Sequence, residues 1–330
     1  MTTSPEAPEA LVNFRGKFSE LHSELNRVFI GHDDLTKTLL AALIANGHVL
    51  LEGVPGLGKT LLAKSLASCL RVQFSRIQFT PDLMPMDITG GLQLADEGNG
   101  KVQLKFVPGP LHANFILADE INRATPKTQS ALLEAMQEHQ ITSGRETMAL
   151  PEPFFVIATQ NPIEQEGTYP LPEAELDRFM VKLLLGYPSE SEYGRILDLT
   201  TGTGETSVRA VCTPEELLSM RRTARAVLAE DSVKQYAVRL VMATQPTSPY
   251  ATANSKKYIR FGAGPRAVQN LVLLAKVHAL CDGRTVIGSD DVRKSFFPVL
   301  RHRLVLRFEA RSEGLNADAI LNSVLKEIRE

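Results

Sequence analysis

Residues 53–60 read Gly-Val-Pro-Gly-Leu-Gly-Lys-Thr, which is the pattern G-x-x-x-x-G-K-[ST] of a phosphate-binding loop. Glycines in such a loop let the backbone N–H groups curl around phosphate oxygens. Lys59 is placed to reach the β- and γ-phosphates, and the Thr60 hydroxyl is placed to ligate a metal ion. A short apolar run at 48–52 precedes the loop as a buried parallel strand would, and helix-forming residues follow at 61–70. This context favours a nucleotide site over a plain glycine-rich turn. The predicted nucleotide-binding residues of this loop are Gly53, Pro55, Gly56, Leu57, Gly58, Lys59, Thr60 and Leu61.

Two further apolar runs end in polar side chains of the kind that phosphoryl transfer uses. Residues 115–120 read Phe-Ile-Leu-Ala-Asp-Glu, so Asp119 and Glu120 lie at the carboxyl end of a predicted strand, where α/β sheets bind ligands. Asp119 suits a magnesium site, and Glu120 suits the orientation or deprotonation of a water molecule. The strand at 154–160 is followed by Asn161, which is placed to contact the attacking water or the γ-phosphate. Alone, these would be a solvated acidic turn and a turn asparagine. Together with the loop they predict Mg2+-dependent hydrolysis of a nucleoside triphosphate.

Length and composition describe a globular chain that carries no general affinity for polyanions. The 330 residues suggest two domains, and 43% apolar with 22% charged residues leave ample material for a core. The net charge of −2 argues against general attraction to nucleic acid or anionic membrane, and no apolar run approaches the roughly 20 residues of a membrane span. Residues 1–10 are acidic and proline-rich, resemble no targeting peptide, and are expected to be a disordered tail. The three cysteines have neither disulfide nor metal-ligand spacing, which favours a reducing cytoplasm.

The order of predicted elements divides the chain. Helical patterns at 11–29 and 33–45 precede strands that alternate with helices, which predicts an α/β fold with a parallel sheet. The predicted strands are about 48–53, 74–79, 114–119, 154–160 and 179–185, with hairpin insertions at 92–106 and, more weakly, 140–148. Strand signals then vanish. The predicted helices of the second half are about 189–199, 214–230, 232–245, 265–281, 289–297 and 315–329, with loops at 200–207 and 245–255. We therefore predict a tail at 1–10, an α/β nucleotide-binding core at 11–186 and an all-helical domain at 187–330.

The motifs, taken in order, resemble the AAA+ ATPases and, more narrowly, the MoxR family. The family segments are matched by Phe79-Thr80-Pro81-Asp82-Leu83-Met84-Pro85, Asp119-Glu120-Ile121-Asn122-Arg123-Ala124, Ala158-Thr159-Gln160-Asn161-Pro162 and Leu171-Pro172-Glu173-Ala174-Glu175-Leu176-Asp177-Arg178-Phe179. The match runs from about residue 25 to the C-terminus. It implies an AAA+ P-loop core with a five-stranded parallel sheet and β-hairpin inserts, followed by a smaller all-helical lid. It also implies ATP as the nucleotide, a nucleotide-dependent hexamer and chaperone-like work.

The resemblance also assigns roles to residues outside the phosphate loop. Asn161 resembles sensor 1, and Arg178 resembles the arginine finger, which in this family reaches the γ-phosphate held by a neighbouring subunit. Arg266 resembles sensor 2, with an expected contact to the nucleotide in cis, and Ile30 with Gly31 resembles the segment that lies against the adenine. Simpler interpretations remain open. Arg178 would otherwise be an ion-pair partner at a helix end, and Arg266 a solvated cap.

Other residues of the matched segments are less decided. Many family members carry serine where this chain has Gly264, which removes a helix-capping hydroxyl before Arg266. Arg123 is equally open to a contact in trans or a structural salt bridge. The isolated histidines lack metal-ligand spacing, and Arg301, Arg303 and Arg307 form a basic strip that we interpret as a solvated helical face or as acid pairing within the lid.

Three functions fit this architecture. The first is a hexameric ATPase that remodels or activates a protein partner, and the resemblance points to a partner with a von Willebrand factor A domain. The second is a nucleic-acid motor of the related helix-2-insert clade, which the acidic hairpin tip at 96–100 disfavours. The third is a magnesium-chelatase-like subunit. We expect ATP and Mg2+ as cofactors, a homo-oligomer, no nucleic acid, no membrane insertion and a cytoplasmic location.

Overall fold

A computed structural model describes residues 6–96, 102–143, 146–162, 167–202 and 207–330. The strands are β1 (Val49–Gly53), β2 (Phe74–Gln78), β3 (Gly90–Asp96), β4 (Val102–Pro108), β5 (Phe115–Asp119), β6 (Gln140–Ser143), β7 (Glu146–Ala149), β8 (Phe155–Gln160), β9 (Val181–Leu185), β10 (Ile259–Phe261) and β11 (Val305–Leu306). The helices are α1 (Glu6–Val28), α2 (Asp33–Ile44), α3 (Lys59–Cys69), α4 (Pro85–Thr89), α5 (Pro126–Glu138), α6 (Glu173–Leu176), α7 (Glu190–Thr201), α8 (Pro214–Ala226), α9 (Asp231–Met242), α10 (Ala253–Tyr258), α11 (Pro265–Cys281), α12 (Ser289–Leu300), α13 (Phe308–Ser312) and α14 (Ala317–Glu327). A short 3-10 helix covers Ile121–Arg123.

The centre of the molecule is a five-stranded parallel sheet with the order β2-β5-β8-β1-β9. Its central strands are apolar on both faces because helices cover both sides. In β1, Val49 and Leu51 join a core on one face, while Leu50 joins a second core with α5 on the other. The α/β prediction is confirmed, and each predicted strand of this sheet coincides with an observed one to within about two residues.

Both predicted hairpin insertions form antiparallel pairs, β3 with β4 and β6 with β7. The first is rooted at Gly90, whose φ of +88° lies in the left-handed region. A Cβ there would lie 2.3 Å from the carbonyl oxygen of Val107, so this root admits only glycine. The predicted acidic tip falls largely on residues 97–101, outside the described residues, and residues 144–145 are likewise outside them.

The lid consists of helices together with one small strand pair that the sequence prediction missed. Antiparallel β10 and β11 have three and two residues, too few to show an alternating pattern. Helix α10 occupies the end of the stretch predicted as a loop at 245–255, and α7 extends two residues into the loop predicted at 200–207. The predicted start at Thr213 is confirmed by a capping box with Glu216: the Glu216 N–H donates to the Thr213 hydroxyl, and the Thr213 N–H donates to the Glu216 carboxylate.

The N-terminal prediction needs one correction. Helix α1 begins at Glu6, so residues 6–10 are helical rather than tail, while residues 1–5 lie outside the described residues. Pro8 falls in the first turn, where a backbone N–H has no intrahelical acceptor and proline is tolerated. The helix is held in place by Phe14, Leu21 and Leu25, which are buried at helical spacing.

The α/β core and the lid pack as one body. A single buried cluster joins Leu21 of α1 and Leu40 of α2 to one face of the sheet and to Leu274 of α11 and Phe296 of α12. The boundary predicted at 186/187 falls in the link between β9 and α7. Within the described residues, no helix combines the length and the apolar character needed to cross a bilayer.

Candidate nucleotide site and its separated arginines

The phosphate loop connects the end of β1 to the start of α3. Gly56 and Gly58 have φ of +84° and +81°, which turns the backbone in a way that other residues rarely adopt. Lys59 is the first residue of α3, is only 9% exposed, and donates from Nζ to the Gly53 carbonyl oxygen at 2.6 Å. Thr60 follows and is exposed. The loop thus brings a lysine, a hydroxyl and a helix N-terminus together in one short segment, which fits a polyphosphate.

The predicted adenine segment lies beside this loop. A Cβ on Gly58 would lie 3.4 Å from the ring of Phe29, the residue before Ile30. Gly31 has a φ of +83°, and a Cβ there would lie 2.8 Å from the carboxylate of Glu192 on α7. Ile30 and Gly31 therefore sit where the phosphate loop, the end of α1 and the first lid helix converge.

The two strand-end carboxylates are held by different partners. Asp119 Oδ1 accepts a hydrogen bond from the Thr159 hydroxyl at 2.6 Å, and Asp119 Oδ2 accepts from Arg76 Nη2 at 2.7 Å. Asp119 is 8% exposed, whereas the Arg76 side chain is 46% exposed. The Asp119 carboxylate supplies oxygen donors of the type that Mg2+ prefers, and the exposed Thr60 hydroxyl is a further oxygen donor. Asp119 with Thr60 therefore fits a magnesium site.

Glu120 has an unusual backbone and an engaged side chain. Its φ is +57°, and its N–H donates to Thr159 Oγ1 at 2.9 Å. Glu120 Oε2 accepts from Gln78 Nε2 and from Arg123 Nη1, both at 3.0 Å. Arg123 thus forms the salt bridge that was one of its two predicted roles.

Three of these partners were not predicted: Arg76, Gln78 and Thr159. The available signal was the sheet itself, because Gln78 pairs in register with Asp119 and Thr159 lies two residues before Asn161 near the end of β8. Asn161 is 5% exposed and follows β8, which lies between β5 and β1. The structure therefore brings the loop, both carboxylates and Asn161 to one edge of the sheet.

Arg178 and Arg266 lie at the opposite edge. Arg178 precedes β9 by three residues, and Val181 of β9 pairs with Val49 at the amino end of β1. Arg266, at the start of α11, pairs with Asp177 at 3.5 Å. Both arginines line one cavity with His48, the residue before β1.

This position does not favour the expected cis contact of Arg266. Five residues at about 3.3 Å each separate His48 from Gly53, so the cavity lies about 16 Å from the phosphate loop of the same chain. An arginine side chain does not extend that far. Gly264 caps α11 without a side-chain hydrogen bond.

The lid is held at this edge by a buried cation. Arg303 is 7% exposed, and its Nε donates to Asp177 Oδ1 at 2.8 Å. Burial lowers the pKa of Arg303, and Asp177 partly opposes this shift. Arg301 pairs with Asp318 at 2.9 Å. Arg301 and Arg303 of the predicted basic strip therefore make structural contacts, and their acid pairing reaches the core as well as the lid, whereas Arg307 is exposed and donates from Nε to the Ile259 carbonyl oxygen at 3.0 Å.

A neutral histidine forms part of the same cavity wall. His48 Nδ1 accepts the Val156 N–H at 3.1 Å, which leaves Nε2 to donate to the Met136 carbonyl oxygen at 3.1 Å. Burial lowers the pKa of His48 to about 4. The described cysteines are also inert: burial raises the pKa of Cys69, Cys212 and Cys281 to about 12.

Comparison with known proteins agrees with this architecture. The family model "ATPase family associated with various cellular activities (AAA)" matches residues 48–181, and the AAA lid domain model matches residues 251–324. Chaperone MoxR1 of Mycobacterium tuberculosis is 40% identical over 95% of this chain and 84% of its own length. This chain belongs to the MoxR family of AAA+ ATPases.

Further relatives also match most of the chain. Protein MoxR of Paracoccus denitrificans is 29% identical over 92% of this chain and 93% of its own length, and YeaC of Bacillus subtilis is 43% identical over 92% of each. A crystal structure from Cytophaga hutchinsonii with a provisional ATPase description is 38% identical, covers 98% of both chains and superposes with a TM-score of 0.90. The MoxR-type core and lid therefore account for nearly the whole chain.

Proposed function

We propose that this protein hydrolyses ATP with Mg2+ at a site completed by a second copy of the chain. The observation that carries the proposal is the separation of the two halves of the site. The phosphate loop, Asp119, Glu120 and Asn161 lie at one edge of the sheet, while Arg178 and Arg266 lie at the other. A contact that joins two different faces of identical chains is head-to-tail, and such contacts form a ring when the rotation from one chain to the next closes. We propose a hexamer that assembles with nucleotide.

Each residue has a role in this reaction. Lys59 and the loop amides hold the phosphates, and Thr60 with Asp119 would hold Mg2+, which supplies charge neutralisation when it is bound. Asn161 positions the attacking water, and Glu120 accepts its proton once released from Gln78 and Arg123. Arg178 and Arg266 of the adjacent chain neutralise charge on the transferring phosphoryl group. Ile30 and Gly31 lie against the adenine.

The process that ATP hydrolysis would drive is a further proposal. We propose a cytoplasmic, chaperone-like remodeller of a protein partner that carries a von Willebrand factor A domain. The relative named Chaperone MoxR1 supports chaperone work, and the free thiols suit a reducing compartment. A magnesium-chelatase-like subunit or a nucleic-acid motor is the alternative. The described strands of the two hairpin insertions do not distinguish these functions from one another. The discriminating measurement is whether DNA stimulates ATP turnover.

A subunit-mixing experiment tests the shared site. Arg178→Ala should bind an ATP analogue normally and lose about 10³–10⁵ in turnover, because the neutralising guanidinium is gone. Lys59→Ala should lose nucleotide binding but keep its arginines. In a 1:1 mixture, about a quarter of head-to-tail contacts pair an intact loop with an intact Arg178, so about a quarter of wild-type activity should return. If Arg178→Ala turns over normally alone, or gains nothing from mixing, the shared site is wrong.

A pull-down tests the partner. Glu120→Gln should retain ATP and hold a partner that the wild type releases, and Lys59→Ala, which cannot bind ATP, is the matched control. Recovery of a von Willebrand A domain protein with Glu120→Gln alone supports the proposed partner. Equal recovery with both variants would contradict nucleotide-dependent remodelling.

A further inference from the structure

The cavity at the amino edge of the sheet contains a third arginine. Arg225, near the end of α8, lines this cavity of about 210 Å³ together with Arg178 and Arg266. Apart from Asp177 and two histidines, the remaining wall has no ionisable side chain, and it includes Gln269 and Asn270 of α11. A concavity that gathers three guanidinium groups from three separate segments is suited to an anion.

The positive charge of this cavity is not balanced by the chain itself. The cavity lining holds one carboxylate, Asp177, which is shared by the buried Arg303 at 2.8 Å and by Arg266 at 3.5 Å, so it cannot balance all of these guanidinium groups. Arg225 forms no ion pair in the part of the chain that the structure describes, and its side chain is exposed. Glutamates 134, 138 and 175 lie in an adjacent cavity that shares only Arg178.

The surroundings of Arg225 increase the local charge. Lys276 Nζ donates to the Arg225 carbonyl oxygen at 2.8 Å. Burial lowers the pKa of Lys276, and the nearby charges of Arg225 and Lys234 lower it further. Like charges held together raise the free energy of the folded chain unless an anion joins them. We therefore expect the cluster of Arg178, Arg225 and Arg266 to bind an anion from outside the chain.

We propose that Arg225 contacts the phosphates of the ATP held by the neighbouring subunit, beside Arg178 and Arg266. This inference rests on the proposed function, because only a second chain brings a triphosphate to this edge. A nucleoside triphosphate matches the site in charge and in its need for several donors, and guanidinium forks bind phosphate oxygens in pairs. Arg225 is carried by α8 and Arg266 by α11, so the contact ties two lid helices to the neighbour's nucleotide.

Three variants test the contact. One charge-assisted hydrogen bond to the transferring phosphate is worth about 10- to 100-fold in rate, so Arg225→Ala should lose that much kcat while its own loop still binds an ATP analogue. Arg225→Lys keeps the charge without the fork and should recover part of the loss. Arg222→Ala is the matched control, because Arg222 is exposed on the same helix but lies outside the cavity lining, and it should stay within about twofold of wild type.

Mixing with Lys59→Ala distinguishes action in trans from action within one chain. Arg225→Ala mixed 1:1 with Lys59→Ala should regain about a quarter of wild-type activity, as Arg178→Ala should. A kcat for Arg225→Ala within twofold of wild type would overturn the inference. The inference would also be overturned if mixing with Lys59→Ala restored the activity of Arg178→Ala but not that of Arg225→Ala. It would likewise be overturned if sedimentation showed that the lower activity of Arg225→Ala came only from weaker assembly. In those cases the shared site stands. If neither variant is restored, the shared site itself fails.

Discussion

Asp177→Asn is the substitution whose effect on stability the structure defines most sharply. Asp177 faces the buried Arg303, whose side chain is 1% exposed and whose Nε lies 2.8 Å from Asp177 Oδ1. The other Arg303 donors are also occupied, with Nη2 bonded to the Phe179 carbonyl oxygen at 2.6 Å and Nη1 to that of Met180 at 3.2 Å. The substitution keeps the shape of the side chain and removes its charge. It therefore leaves a buried guanidinium without its counter-charge.

The magnitude follows from the separation and the burial. Two unit charges 2.8 Å apart attract by about 6 kcal/mol at an effective dielectric constant of 20. Because Asp177 is 29% exposed, solvent screens part of this attraction, and the measured cost of breaking a buried pair is about 3–5 kcal/mol. We expect the lower end, about 3 kcal/mol. At about 2.1 cal/mol/K per residue, a chain of 330 residues has an unfolding entropy near 0.7 kcal/mol/K, so Tm should fall by about 4 °C.

Thermal unfolding followed by circular dichroism, with urea unfolding alongside, measures this change. Asp231→Asn is the matched control, since Asp231 is 88% exposed and pairs with Lys234 at 2.9 Å on the surface. It should change stability by less than about 1 kcal/mol. The double variant Asp177→Asn with Arg303→Met should cost less than the sum of the single variants, because the unpaired charge is then absent. Equal Tm values for Asp177→Asn and Asp231→Asn would refute the reasoning.

Three further outcomes follow from the described site. Glu120→Gln should lower kcat about 10²–10⁴-fold in a coupled ATPase assay and leave binding of an ATP analogue unchanged; equal loss of binding would contradict the role of a general base. Gly58→Ala forces a side chain into a φ of +81° and should weaken analogue binding in a fluorescence titration by about tenfold, from about 1–2 kcal/mol of strain. Burial lowers the pKa of His48 from an ordinary 6.5 to about 4 in the folded chain. Between these two pH values His48 is protonated in the unfolded state but stays neutral in the folded state. The contribution of His48 to stability should therefore fall by up to roughly 3 kcal/mol between pH 6.5 and 4, and His48→Gln, which keeps one donor and one acceptor, should reduce the fall in Tm over this range; the remaining fall is expected from His278 and His302, whose pKa values burial also lowers.

Local pattern was enough to predict the sheet and the residues at its carboxyl edge. The strand at 115–119 is apolar throughout, and its end places Asp119 and Glu120 without knowledge of any distant contact. The phosphate loop is likewise a continuous segment, so the sequence contains its whole geometry. The strand order and the hydrogen-bond partners of these carboxylates could not be predicted from local pattern, because they depend on contacts between distant segments. Gln78, for example, bonds to Glu120, 42 residues away in the sequence.

The position of the lid could not be predicted in the same way. Arg266 was placed at a helix start correctly, but the edge of the sheet that receives this helix is set by contacts such as Arg303 with Asp177, 126 residues apart. Periodicity describes a helix and one of its faces, and it does not say which surface that face meets. The short strands β10 and β11 were missed for the related reason that two or three residues carry no period.

The continuous core described above bears on how such a chain can change through evolution. Leu21 and Leu40 near the N-terminus meet Leu274 and Phe296 near the C-terminus, so the segment after residue 186 is not a transferable module. A recombinant that took residues 187–330 from a distant relative would mismatch its partners along two N-terminal helices at once. Recombination events that preserve a folded protein should therefore exchange the N-terminal helices and the C-terminal helices together and leave the central sheet unchanged.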